Sequence, residues 1–177
     1  MPRYRGSVVL TTREEAPAGA HIPLLYEESV EEHPTVLAGL ILQKAGAGAG
    51  ERELVIGIDP GSRTGLSVFY LGREIESSIH STTEGLVSHI ITVLAGLSTR
   101  RKIVRIGNGS MPAAKAIGAM LNLRFCSSFE LEFVDEYGTS PRSKNNNQAG
   151  KRDRLSARYI SQRTGRRRVV LPHSMTG

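Results

Sequence analysis

The sequence predicts an α/β domain: a mixed five-stranded sheet in the element order β-β-β-α-β-α-β-α, with helices packed on it. Three observations carry this expectation. Leu54, Val55, Ile56 and Ile58 form a nearly continuous apolar run, the pattern of a strand buried on both faces. Pro60-Gly61 and Gly65 then punctuate a turn, after which Leu66, Val68 and Tyr70 alternate with Ser67 and Phe69 at period two. Further along, short apolar strands alternate with stretches of helical spacing.

Taken in order, Ser7 to Thr12 is a short strand candidate, and His33-Pro34 opens a helix with proline near its first position. Leu37, Leu40, Ile41 and Lys44 follow at helical spacing. Residues 1–44 are expected to be an N-terminal appendage, 45–52 a Gly/Ala linker, and 53–177 the main domain with a basic C-terminal third. Residues 72–80 read as the third strand of that domain, with Ile75 and Ile79 on one face. Ser81 followed by Glu84 has the form of a capping box. The helix behind it would place Leu86, Ile90, Val93 and Leu97 on one stripe. Lys102 to Ile106 is the fourth strand, and Ser110 can cap a second helix facing inward through Ala114, Ile117 and Leu121. Leu131 to Val134 is the fifth strand. A polar loop over 138–152 leads to a last helix starting near Asp153.

Composition narrows the partners. The formal charge is +6 and the pI about 9.8, which favours a polyanion. The charge is concentrated: residues 141–168 hold ten Lys/Arg against one acid, whereas residues 1–50 hold four basic and six acidic side chains. A single cysteine, Cys126, excludes an intramolecular disulfide and a thiolate zinc site, and its small or apolar neighbours suit a core position. The five histidines (His21, His33, His80, His89, His173) show no metal-ligand spacing, and His89 beside an apolar stripe reads as structural. No apolar run approaches the roughly 18 residues of a membrane span, and the N-terminus lacks a secretory apolar region. The expectation is a soluble, cytoplasmic protein without a membrane partner.

The acids give the chemistry. In such a sheet, ligands gather beyond the carboxyl ends of the strands. Asp59 ends the first strand of the domain, and Asp135 and Glu136 end the fifth. Asp153, Ala157 and Ile160 recur at i, i+4, i+7, which puts Asp153 on the apolar side of its helix. Carboxylates sharing one rim repel unless a hard cation neutralises them, and Mg²⁺ or Mn²⁺ prefers oxygen ligands. Two such ions can activate a water and stabilise the leaving oxygen in phosphodiester hydrolysis. The alternative roles are plain ones: Asp135 capping a strand end or pairing with an arginine, and Asp153 serving as an N-cap.

Four segments resemble the RuvC/YqgF branch of the RNase H-like superfamily. GIDPGSRTG (57–65) looks like its opening hairpin. IGNGS (106–110) is similar to the segment in the YqgF-like domain of the Tex family, VDEYGTS (134–140) to the segment after the fifth strand, and DRLSARYIS (153–161) to the final helix. They match in order over roughly residues 53–165. The resemblance implies an RNase H-like fold and a metal-dependent nuclease acting on branched nucleic acid, Holliday-junction DNA above all, in DNA recombination and repair. Carried over by position, Asp59, Glu136 and Asp153 are catalytic acids and metal ligands for two Mg²⁺ or Mn²⁺ ions, with Asp135 a further ligand. Resolvases of this branch carry an acid after the fourth strand, where this chain has Asn108, and a second aspartate three positions from the helix acid, where it has Gly150 and Ser156. A non-catalytic nucleic-acid-binding module is therefore the alternative expectation. Arg142, Lys144, Lys151, Arg152, Arg154 and Arg158 are the expected phosphate contacts, DNA being favoured over RNA. Tyr137 and Tyr159 could stack on bases. Symmetric junction resolution would require a homodimer.

Overall fold

The computed structural model describes residues 8–16, 19, 21–29, 33–46, 53–124, 129–136 and 149–170, the side chains of 149 and 166–170 excepted. In the N-terminal part, β1 (Val9–Thr11) and β2 (Leu24–Tyr26) pair in parallel as a small separate ladder. A helix, α1 (Pro34–Lys44), follows with its proline in the first turn, where a missing N–H costs nothing. The main sheet is built from β3 (Glu53–Asp59), β4 (Thr64–Tyr70), β5 (Arg73–His80), β6 (Arg101–Gly107) and β7 (Phe129–Val134). All five predicted strands are present, and a sixth, β8 (Arg166–Val170), extends the edge beside β7. Its RRRVV sequence lacks the alternation that marks a half-buried strand, so in the sequence it reads only as part of the basic C-terminal third.

The strand order is β5-β4-β3-β6-β7-β8. β3, β4 and β5 form an antiparallel meander, while β6 and β7 run parallel to β3 through helical crossovers. These crossovers are α2 (Thr83–Gly96) and α3 (Met111–Arg124). The last helix is α4 (Ala149–Ser161). Leu54, Ile56, Ile58, Leu66, Val68 and Tyr70 belong to one buried cluster with Leu86, Ile90, Val93, Ile117 and Leu121 from α2 and α3. The opposite face carries α4, which lies directly on the backbones of β3 and β4. Gly57 and Gly65 allow this approach: a Cβ at Gly57 would overlap the Ala157 carbonyl, and one at Gly65 the Asp153 carbonyl.

Three local expectations are corrected. The N-cap of α2 is Thr82, whose hydroxyl accepts the Gly85 N–H at 3.2 Å, one residue after the expected Ser81. Helix α4 begins at Ala149, not near Asp153, because the basic and small residues 149–152 are already helical; Asp153 is therefore interior to the helix and not its N-cap. The helix assigned to an appendage packs on the domain: Val36 of α1 is 1% exposed within the main core. A Cβ on Gly96 of α2 would overlap the Val36 side chain, and one on Gly39 of α1 would meet Leu97. Two small residues thus let α1 seat closely on α2. Residues 47–52 of the expected linker, and Cys126, lie outside the described residues.

Charged residues also enter the sheet. Arg105 and Glu132 are register partners on β6 and β7, joined at 2.8 Å and only 12% and 2% exposed. Arg105 also donates to the Ser161 carbonyl at 2.5 Å, and the Gly165 N–H donates to Glu132 at 3.2 Å. A buried pair of this kind is tolerable only because its remaining valences are filled. It fixes the C-terminal end of α4 to the sheet.

Candidate functional site

The carboxyl ends of β3, β6 and β7 form one rim, and each contributes a turn. Asp59 closes β3, paired across the ladder with Gly65. Glu136 lies two residues beyond β7, and its backbone N–H donates to Asn108 Oδ1 at 3.1 Å. The Glu136 carboxylate in turn accepts the Gly109 N–H at 2.9 Å. Gly107 and Gly109 leave the room for it, since a Cβ at either would overlap the carboxylate. The GNG turn is thus a cradle for Glu136, with Asn108 holding the backbone behind it.

Asp153 faces the same rim from the second turn of α4. Its charge and that of Glu136 both act on Asp59, whose carboxyl is pushed up from 3.8 to about 6. Burial is the largest cause, followed by Glu136 and then Asp153. A hydrogen bond with the Ser156 side chain and the charge of Arg152 act in the opposite direction. Three of the four predicted acids therefore share one electrostatic neighbourhood. Asp135 is exposed at the end of β7, and its backbone carbonyl accepts Arg163 Nη1 at 3.1 Å. The acids are not gathered to a point: among the described residues they form no set of three whose ligand oxygens lie mutually within 4.8 Å.

The basic residues divide. Lys151, Arg152 and Arg154 are exposed on α4, and Arg152 is near enough to Asp59 to act on it. Arg158 is half-exposed but engaged, with Glu74 at 3.3 Å. Arg142, Lys144 and Tyr137 lie outside the described residues, while Tyr159 is 45% exposed on α4.

A second cluster on the opposite sheet face was missed from the sequence, and it includes His89. Glu76 and His80 of β5 and His89 of α2 bring one ligand atom each within 4.8 Å of one another, and so could hold a metal ion. His89 Nε2 lies 2.8 Å from Glu76 Oε2, and His89 Nδ1 lies 3.2 Å from His33 Nε2. Thr35 donates to Glu76 Oε2 at 2.6 Å and Ser78 to Oε1 at 2.5 Å. Burial alone would raise the Glu76 carboxyl, but hydrogen bonds from His89, Ser78 and Thr35 outweigh it and bring it down to about 2. Burial, with the neighbouring His89, lowers His80. The available signal was the i, i+2, i+4 alternation of Glu76, Ser78 and His80, which puts three polar groups on one strand face.

No helix among the described residues is long and apolar enough to cross a membrane. No protein-family model matches the sequence, and no curated protein matches it either.

Proposed function

We propose that this chain is an RNase H-like nuclease of RuvC/YqgF type. In this reading it hydrolyses phosphodiesters in branched nucleic acid, with Holliday-junction DNA the favoured substrate. The observation that carries this reading is the coupling of Asp59 to Glu136 and Asp153 from three separate elements. The β-β-β-α-β-α-β-α order from Glu53 to Ser161 supports it. Asp59, Glu136 and Asp153 fit Mg²⁺ or Mn²⁺ in donor chemistry, being oxygen ligands only, with Asp135 beside them. Like charges hold metal-free carboxylates apart, in keeping with the looseness of the set. When bound, such ions would supply an activated water and a stabilised leaving oxygen.

The chain's own residues do the rest. Ser156 holds the Asp59 carboxylate, and the Gly109 N–H and the GNG turn orient Glu136. Lys151, Arg152 and Arg154 line the exposed side of α4 next to the rim and would meet the phosphate backbone. Incubating a synthetic four-way junction with Mg²⁺ or Mn²⁺ tests the reading. Wild type should cleave and Asp59→Asn should not; equal cleavage by both would sink the assignment. Sedimentation of the junction complex should give two chains per junction if resolution is symmetric.

Asn108 and Ser156 favour a second reading, a non-catalytic binding module. Asn108 stands where the resembled resolvases carry an acid, Ser156 is one of the two positions three residues from Asp153, and both are committed to hydrogen bonds, to the Glu136 backbone and to Asp59. Junction binding without Mn²⁺ uptake at the acid rim would select this reading.

A further inference from the structure

We propose that Glu76, His80 and His89 bind a first-row transition cation, Zn²⁺ foremost, and that the ion ties α2 to the edge strand β5. The site is separate from the acid rim. Glu76 is the register partner of Val68 and shares the face covered by α1 and α2, whereas Asp59 shares the α4 face with Gly57.

The donor set is one carboxylate and two imidazoles. Imidazole nitrogen suits Zn²⁺, and Mg²⁺ or Ca²⁺ poorly, so this site and the rim select different ions. Ligand atoms mutually within 4.8 Å can close on an ion roughly 2.0–2.2 Å from each by small side-chain rotations. The surroundings are those that a metal site needs. His89 Nδ1 lies 3.2 Å from His33 Nε2, a contact that fixes the ring, and an ion would take the place of the 2.8 Å contact between His89 Nε2 and Glu76. Thr35 and Ser78 each hold one oxygen of the Glu76 carboxylate. An open cavity of about 380 Å³, lined in part by His33, Thr35, Glu76 and His89, gives access and leaves a position for water. A bare hydrogen-bond network would account for the Glu76–His89 pair. His80 joins that network through Ser78, whose Oγ lies 3.2 Å from His80 Nε2, and its ring lies 5.0 Å from that of His89, which brings a second imidazole within ligand reach of Glu76.

The test uses the full chain freed of metal with a chelator and then titrated with Zn²⁺. One equivalent should bind and raise the melting temperature. His80→Gln should weaken binding by at least about tenfold and abolish the thermal shift. Asp59→Asn should bind as wild type does, which separates this site from the rim whether or not the nuclease reading holds. Undiminished binding by His80→Gln, or binding lost in Asp59→Asn, would overturn the proposal. Imidazole ¹⁵N spectra of the wild-type chain provide a readout that does not depend on the variant folding. Zn²⁺ should shift His80 and His89, and a shift confined to His21 and His173 would also overturn it.

Discussion

Replacing Gly65 with alanine should unsettle the fold and the acid rim together. Gly65 pairs with Asp59 across the β3–β4 ladder, and α4 rests on its backbone. An added Cβ would lie 2.6 Å from the Asp153 carbonyl carbon and 3.3 Å from the Arg154 nitrogen. Ordinary contact begins near 3.4 Å, so something must move by nearly 1 Å. The obstruction is helix backbone, not the end of a flexible side chain, and α4 is also fastened at its other end by Arg105 through the Ser161 carbonyl. Overpacking of this kind typically costs about 1–3 kcal/mol, and the fixed helix argues for the upper half of that range. For a chain of this size that corresponds to a fall in melting temperature of about 4–12 °C. Urea denaturation followed by circular dichroism would measure it, with an unchanged m-value indicating that the unfolded state is unaltered. The same displacement carries Asp153 away from Asp59, and a 1 Å misplacement can reduce a catalysed rate by about 10²-fold. Gly118→Ala is the control, since its Cβ would meet side-chain ends alone, Leu131 at 3.0 Å and the Phe133 ring at 3.8 Å. The gain of about 1 kcal/mol in helix propensity should offset that contact. Stability of Gly65→Ala within about 0.5 kcal/mol of wild type, the scatter expected of a surface substitution, would refute the close-approach argument.

Other outcomes follow from the same geometry. Arg105→Met should cost about 3–5 kcal/mol in chemical denaturation, because it leaves Glu132 buried and charged without its guanidinium. Glu76 has a folded pKa near 2 against an ordinary 4.5, so its contribution is fully present above pH 4.5 and is lost as the pH falls toward 2. In chelator, the stability difference between wild type and Glu76→Gln should shrink by about 2 kcal/mol between pH 5 and pH 3. Neutralising Lys151 and Arg152 together should reduce the slope of log affinity against log salt for duplex DNA by about 1.8, if each meets one phosphate. An unchanged slope would move the nucleic-acid surface off α4.

The strands were legible because burial on both faces leaves an unbroken apolar run, as in Leu54 to Ile58, and burial on one face leaves alternation. Asp59 and Glu136 were legible for a related reason: topology brings the carboxyl ends of β3, β6 and β7 together whatever their separation in sequence. Asp153 followed from its helical spacing with Ala157 and Ile160, both fully buried. The start of α4 was hidden because Ala149 to Arg152 follows a polar, Asn-rich segment with no apolar residue to mark helical phase. The Arg105–Glu132 pair was hidden because charges within a strand read as solvent-facing until the register places one opposite the other. The histidine cluster joins residues 13 and 56 positions apart on three elements, and local ligand spacing cannot register that.

The β5 bulge corrects the expectation that Ile75 and Ile79 share one face: Ile75 lies with Glu76 and His89, whereas Ile79 lies against Gly150 of α4. The register steps from Val68↔Glu76 to Phe69↔Glu74, so Ile75 is an extra residue with no partner of its own. Strict alternation would put Glu74 and Glu76 on the same face. The extra residue sends them to opposite faces instead. Glu74 meets Ser67 at 2.8 Å and Arg158 of α4 at 3.3 Å, while Glu76 meets Thr35, Ser78 and His89 under α1 and α2. Without the bulge, one glutamate would be withdrawn from its partners: either α4 would lose the anchor beside the acid rim, or His89 would lose its carboxylate. One inserted residue at the sheet edge therefore lets a short strand serve two chemically different faces, one bearing an oxygen-only rim and the other a nitrogen-rich cluster. The six-strand sheet between them keeps the two sets of charges apart.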